Sequence, residues 1–202
     1  MPAAIDFYFD FSSPYGYFAS TKIDALAAKY GREVTWRPFL LGAAMKITGG
    51  VPLPSVPLKG DYARRDFARS AKFYGAEYKL PSTFPISSQA PARAFYWVSR
   101  KDPKQAKALA AALYRAYFVD DINISNPEDT IAVCAKLGLK ADEVRAAIND
   151  PAIKDLVKAE VDQAIARGAF GSPYIVVGDE AFWGADRLDQ IEKWLASGGW
   201  KY

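Results

Sequence analysis

Histidine is missing from all 202 residues of this chain, and cysteine occurs once, at position 134. The first absence removes a Ser-His-Asp triad, a His-ligated metal and a His general base. The second removes an intramolecular disulfide, a Cys-x-x-Cys redox pair and a zinc–thiolate site, so no metal site is expected. Cys134 sits among Ile131, Ala132, Val133 and Leu137 in a helical pattern and reads as a buried structural thiol. Net charge is small as well. The 26 Lys and Arg against 23 Asp and Glu leave +3, too little and too dispersed for nucleic acid but compatible with a small anionic ligand. No run approaches the roughly 18 apolar residues of a membrane span. A strand starting at Ile5 leaves no room for a signal or transit peptide, so the expected compartment is the cytoplasm.

What is there is apolar and aromatic: half the residues are hydrophobic and 14% are Phe, Trp or Tyr. A chain of this length buries a substantial core, as one large domain or as a domain with an insertion. Ile5-Asp6-Phe7-Tyr8-Phe9-Asp10 reads as a strand that runs through Phe11-Ser12-Ser13-Pro14-Tyr15-Gly16 into a helix. Pro14 suits the first helical turn, which puts Ser13 at the helix N-terminus with its hydroxyl among free backbone N–H groups, a place that favours an anion. Thioredoxin-like proteins carry Cys-x-x-Cys at such a junction. Here a serine stands instead, unable to exchange disulfides but able to donate a hydrogen bond to a thiolate supplied by another molecule. On its own, a Ser before Pro at a helix start is commonly only an N-cap.

Apolar positions from Phe18 to Tyr30 follow helical spacing and stop at Gly31, and Glu33 to Phe39 alternates as a second strand, making a βαβ unit with parallel pairing. Leu40 to about Gly60 is rich in Gly and Pro and reads as a long loop. Helices follow over 62–74, 90–99, 104–119, 127–137, 141–149 and 151–167, with Asn126 and Asp150 as N-caps. Tyr174–Val177, the turn Gly178-Asp179 and Glu180–Trp183 form a hairpin, and a helix over about 186–196 closes the chain. Strand-helix-strand followed by hairpin plus helix is the thioredoxin order. The expected fold is therefore α/β, thioredoxin-like, with an all-helical insertion: residues 1–60 as the first half, 61–167 as the insertion and 168–202 as the second half.

Two further segments belong to this reading. Ser172-Pro173 precedes the third strand, where thioredoxin folds place a cis-proline, and its N–H and C=O are expected to pair with an extended peptide backbone. Trp183-Gly184-Ala185-Asp186-Arg187 offers a carboxylate at Asp186 that could cap the last helix or bind an ammonium group. An anion site, a peptide edge and a carboxylate match the thiol, peptide bonds and α-amino acid head of glutathione.

The stretches Phe7–Tyr15, Gly168–Pro173 and Gly178–Leu188 resemble 2-hydroxychromene-2-carboxylate isomerases, relatives of kappa-class glutathione transferases within the DsbA-like thioredoxin superfamily. The resemblance implies glutathione as cofactor, with Ser13 close to its sulfur, peptide contacts from Ser172 and Pro173, and head-group contacts across Trp183, Gly184, Ala185 and Asp186. It matches Lys59 to a lysine that helps hold glutathione, and Lys46 and Phe84 to the substrate pocket, with Tyr15 adding to an aromatic wall. The substrate so implied is an aromatic carboxylate of aromatic-compound catabolism, and the assembly a homodimer with no nucleic-acid or membrane partner. Two positions depart from the family: Ser55-Val56-Pro57-Leu58 replaces a polar Asn-Arg pair, and Phe84 replaces an aromatic hydroxyl, both making the pocket less polar. Besides isomerisation by reversible thiol addition, two readings stay open: a transferase that leaves glutathione on an electrophile, and a non-catalytic module that uses the thioredoxin edge to hold a peptide.

Overall fold

The computed structural model describes residues 4–200. The aromatic run at the start forms β1 (Ile5–Phe9) in the middle of the sheet, with β2 (Val34–Pro38) parallel beside it in the register Ile5↔Val34 to Phe9↔Pro38. On the other side β3 (Tyr174–Val177) runs antiparallel to β1, and β4 (Glu180–Trp183) antiparallel to β3, giving the order β2-β1-β3-β4. Alternate residues face opposite ways along a strand. Phe7 and Phe9 share one face, stacked 5.0 Å apart, and Phe9 also meets Phe95 and Tyr114. Asp6 is on the other face, paired with Arg37 at 2.7 Å.

The helix expected from Gly16 to Tyr30 is two helices, α1 (Pro14–Ser20) and α2 (Ile23–Ala28). The Ser20 and Thr21 hydroxyls donate to the Tyr17 and Phe18 carbonyls, satisfying the end of α1 from within and stopping it there. The loop expected over Leu40–Gly60 is also a correction: it holds α3 (Leu41–Thr48), a short 3-10 turn at Leu53–Ser55 and the start of α4 (Lys59–Tyr74). The N-terminal donor of α3 is satisfied at long range, because the Leu41 N–H donates to the Asp10 carboxylate at 2.8 Å. No local cap announces that helix.

The helical block then runs through α5 (Gln89–Ser99), α6 (Pro103–Phe118), α7 (Pro127–Lys136), α8 (Ala141–Asn149) and α9 (Pro151–Ala166). Asn126 and Asp150 cap α7 and α9 as expected, each followed by Pro at the first helical position. The last helix, α10 (Leu188–Ser197), begins later than expected. Asp186 lies in a 3-10 turn, Ala185–Arg187, and the N-cap position of α10 is Arg187 with no side-chain cap bond. Asp186 is therefore not a cap. No helix among the described residues is long and apolar enough to cross a membrane.

Candidate functional site

The carboxyl end of β1 turns into α1 through Ser13, which is 7% exposed. Its hydroxyl accepts from the Gly16 N–H at 3.0 Å and donates to the Ser172 carbonyl at 2.9 Å, so the two motifs, 159 residues apart in sequence, are in direct contact. Ser172–Pro173 is a cis peptide bond. The Ser172 carbonyl, expected to face a ligand, is instead occupied by Ser13, while the Ser172 hydroxyl accepts from the Asp10 N–H at 2.9 Å. Gly16 makes this approach possible: a Cβ there would lie 2.8 Å from both the Ser172 and Tyr114 hydroxyl oxygens. The break after Ser20 leaves α1 two turns long. What the junction offers an anion is thus chiefly the Ser13 O–H, which would have to rotate away from the Ser172 carbonyl to be used.

Trp183 and Gly184 lie next to that junction. Tyr174 pairs with Trp183 across β3 and β4, and the Gly184 N–H donates to the Pro173 carbonyl at 3.0 Å. Trp183 is 56% exposed and packs edge-on against Phe170 at 4.8 Å. Gly171 is required beneath it, since a Cβ would meet the indole nitrogen at 2.1 Å. Ala185 is buried, whereas the Asp186 carboxylate is exposed and only loosely paired with Arg187 at 3.6 Å. Tyr74, at the end of α4, senses it: burial, then the charges of Asp186, Asp189 and Asp66, push the Tyr74 phenol up to about 12.

On the other side of Ser13, the half-buried ring of Tyr15 packs against Phe67 at 5.3 Å, and Phe67 packs against Phe84 at 6.0 Å. The Tyr15 hydroxyl donates to Asp66 at 2.5 Å, and Asp66 is also bonded by Arg69. Burial and this carboxylate hold the phenol well above its usual range. Lys59 begins α4, exposed, about two turns before Asp66 on the same helical face. It follows a tight turn in which the Pro57 carbonyl accepts from the Lys59 N–H at 2.8 Å and Leu58 takes φ 67, ψ −45, a strained conformation for a branched residue. Lys46, exposed in the last turn of α3, touches none of the other candidates directly, and its link to Ser13 runs along α3 to Asp10.

Several residues of this site escaped the sequence reading. Asp10 is the most central, 5% exposed with a carboxylate that accepts from the Ser12 N–H, the Leu41 N–H and the Ser88 hydroxyl. An acid inside the aromatic run Phe7–Phe11 was the available signal. Tyr114 and Phe67 gave none, because their partners are far away in sequence, and the bond that ties Asp66 to Tyr15 spans 51 residues. A crevice of about 880 Å³ runs along the outer edge of β2 against α5, α6 and α9, and none of the candidate residues lines it. At Ser13, α1 is flanked by α4 on one side and by the Ala185–Arg187 turn on the other. No cluster of three or more metal-ligating side chains exists among the described residues.

This arrangement has known counterparts. A DSBA-like thioredoxin domain matches residues 4–196. The chain is 34% identical over 201 residues to a 2-hydroxychromene-2-carboxylate isomerase of Sphingobium xenophagum, an alignment covering 96% of this chain and 99% of that one. It is 25% identical over 205 residues to glutathione S-transferase kappa 2 of Caenorhabditis elegans, covering 95% and 91%. Among solved structures, a 2-hydroxychromene-2-carboxylate isomerase superposes with a TM-score of 0.85 at 29% identity, covering 97% of this chain and 95% of that one. The chain belongs to the DsbA-like thioredoxin family and, within it, to the 2-hydroxychromene-2-carboxylate isomerases.

Proposed function

We propose that the protein is a glutathione-dependent isomerase that interconverts 2-hydroxychromene-2-carboxylate and trans-o-hydroxybenzylidenepyruvate. The observation that carries this reading is the contact between Ser13 and Ser172: a hydroxyl stands at the thioredoxin junction, beside a cis-proline turn, with no thiol of its own. The isomerase and kappa-transferase names of the relatives support it. The donor set fits glutathione in chemistry as well, since a hydroxyl, a peptide edge and an exposed carboxylate correspond to its thiol, amide and ammonium groups.

Bound glutathione would supply a thiolate nucleophile for reversible addition to the conjugated C=C, making it a rotatable single bond, while the ring C–O bond of the hemiketal opens to, or closes from, the phenol and ketone and the thiolate is regenerated. The protein's part follows from its own groups. Ser13 donates its O–H to the sulfur and favours the charged form, as hydrogen bonds to an ionised acceptor do. The Ser172 N–H holds the peptide portion, Asp186 pairs with the γ-glutamyl ammonium, and Lys59 contributes charge from the start of α4. Lys46 pairs with the substrate carboxylate. Tyr15, Phe67, Phe84 and Trp183 supply apolar surface for a bicyclic substrate.

Product analysis tests this directly. With substoichiometric glutathione, the chromene should convert to the open-chain pyruvate while the glutathione concentration stays constant. Consumption of glutathione in step with substrate would make the protein a transferase, and absence of glutathione binding at millimolar concentration by calorimetry would overturn both enzyme readings.

A further inference from the structure

The chemistry above leaves unused the carboxylate that is most deeply embedded in the site. The Asp10 backbone carbonyl accepts from the Ser13 N–H at 2.9 Å and the Tyr114 hydroxyl at 3.0 Å, and its N–H donates to Ser172. Its side chain divides its work between two oxygens. Oδ1 accepts from the Ser12 N–H at 2.7 Å, closing the turn that presents Ser13, and from the Ser88 hydroxyl at the start of α5. Oδ2 accepts from the Leu41 N–H at 2.8 Å, at the first residue of α3. Burial, the larger influence, raises the carboxyl above its ordinary value, and these three donors pull it part of the way back.

We propose that Asp10 is a positioning residue whose Oδ2 registers α3, the helix that carries Lys46, against the Ser13 turn. One carboxylate thereby sets the spacing between the cofactor side and the substrate side of the site. Lys46 lies five residues beyond Leu41, about 7.5 Å along the axis, so a shift or fraying at the first turn is passed to it with little loss. The role of Lys46 rests on the proposed function, whereas the link from Asp10 to α3 does not.

The two oxygens make the proposal testable with a near-isosteric change. In Asp10→Asn the amide oxygen can stay on Ser12 and Ser88, which puts the NH2 against the Leu41 N–H, donor facing donor. The Ser13 turn is kept and α3 is released. A second variant deletes the other partner: Leu41→Pro removes the N–H at a first helical position, where Pro fits, and Leu40 already has the extended conformation that precedes a proline (φ −92, ψ 98).

Amide hydrogen exchange, calorimetry and steady-state kinetics on the full chain decide the matter. Asp10→Asn should speed exchange at Leu41 and along α3, raise KM for the chromene carboxylate about tenfold, as expected for a lost hydrogen bond to a charged group, and leave kcat and glutathione affinity within about twofold. Leu41→Pro should give the same rise in KM, and the double variant should be no worse than either single one. Unchanged exchange and KM in Asp10→Asn, an unchanged KM in Leu41→Pro, or multiplying effects in the double variant would overturn the proposal. Should Asp10→Asn fail to fold, Leu41→Pro carries the test alone. Wild-type protein that bound no glutathione would instead sink the functional reading, and the exchange rates would still decide the link to α3.

Discussion

The two sides of the site are built to different standards. Around Ser13, each polar side chain has a partner within the chain: Ser13 on Ser172, Ser172 on Asp10, Asp10 on Ser12, Ser88 and Leu41, Tyr114 on Asp10. Across from it, the stretch from α3 to the start of α4 leaves Ile47 69%, Val51 57% and Leu58 92% exposed. The contrast separates two physical tasks. Holding one serine oxygen at the strand–helix junction requires a position fixed in advance, which buried bonds from several segments provide, the O–H alone turning between Ser172 and a ligand. Fitting an aromatic substrate requires surface and one well-placed cation, which an exposed helix can supply and revise. The departure at Ser55–Leu58 falls on the revisable side, whereas Phe84 packs on Phe67.

The largest expected effect breaks the fixed side at its donor. Ser13→Ala should lower kcat by about a hundredfold to a thousandfold, the cost of removing one donor from developing negative charge, with glutathione affinity nearly kept. Loss of the cap to Gly16 should cost about 1 kcal/mol, seen as a melting temperature about 2–4 °C lower. Next comes Gly16→Ala, which at an ordinary helical position would stabilise. Here it should destabilise by about 1–3 kcal/mol, because both atoms that the new methyl meets are buried and hydrogen-bonded, and denaturant unfolding would read it. A stabilised variant would mean that the junction is looser than described.

Asp186→Asn probes the edge between the two sides. Glutathione binding should weaken about tenfold by calorimetry, the low end for a charged hydrogen bond, because the carboxylate is exposed to solvent screening. The melting temperature should not move, since Asp186 caps no helix. The smallest effect belongs to Tyr15→Phe, which frees Asp66 from one donor and should cost about 1 kcal/mol at neutral pH. Burial raises the Asp66 carboxyl, but the bonds from Tyr15, Arg69 and Ser70 outweigh it and leave the group below its ordinary value of 3.8. A lowered carboxyl stabilises the fold above its unfolded pKa and loses that contribution as pH falls through the folded one. The wild-type advantage over Tyr15→Phe should thus be full at neutral pH and shrink below about pH 4, as measured by melting curves across pH.

Much of this was legible in the residues, and the pattern of success is physical. α7 and α9 begin where Asn126-Pro127 and Asp150-Pro151 say they should, because a cap and its helix are local chemistry. The thioredoxin order of strands was readable for the same reason, with β3 and its hairpin found from four apolar residues and a Gly-Asp turn. α3 was hidden because its first donor is satisfied by Asp10, 31 residues earlier. The stop after α1 was hidden because Ser20 and Thr21 act through their hydroxyls and not through glycine or proline. Ser13, Ser172 and Pro173 were found as motifs, while the bonds of Asp10 to Leu41 and Ser88, of Asp66 to Tyr15, and the packing of Phe67 on Tyr15 join remote segments and became visible only in the fold.

The thiol of glutathione bound at Ser13 is the most direct witness. Ultraviolet thiolate absorbance, followed against pH for the complex, should give a pKa at least about one unit below the ordinary thiol value of about 8.5 for the wild-type protein, and a return toward that value for Ser13→Ala. An unshifted thiol in the wild-type complex, or an equal shift in both proteins, would contradict the role assigned to the Ser13 hydroxyl.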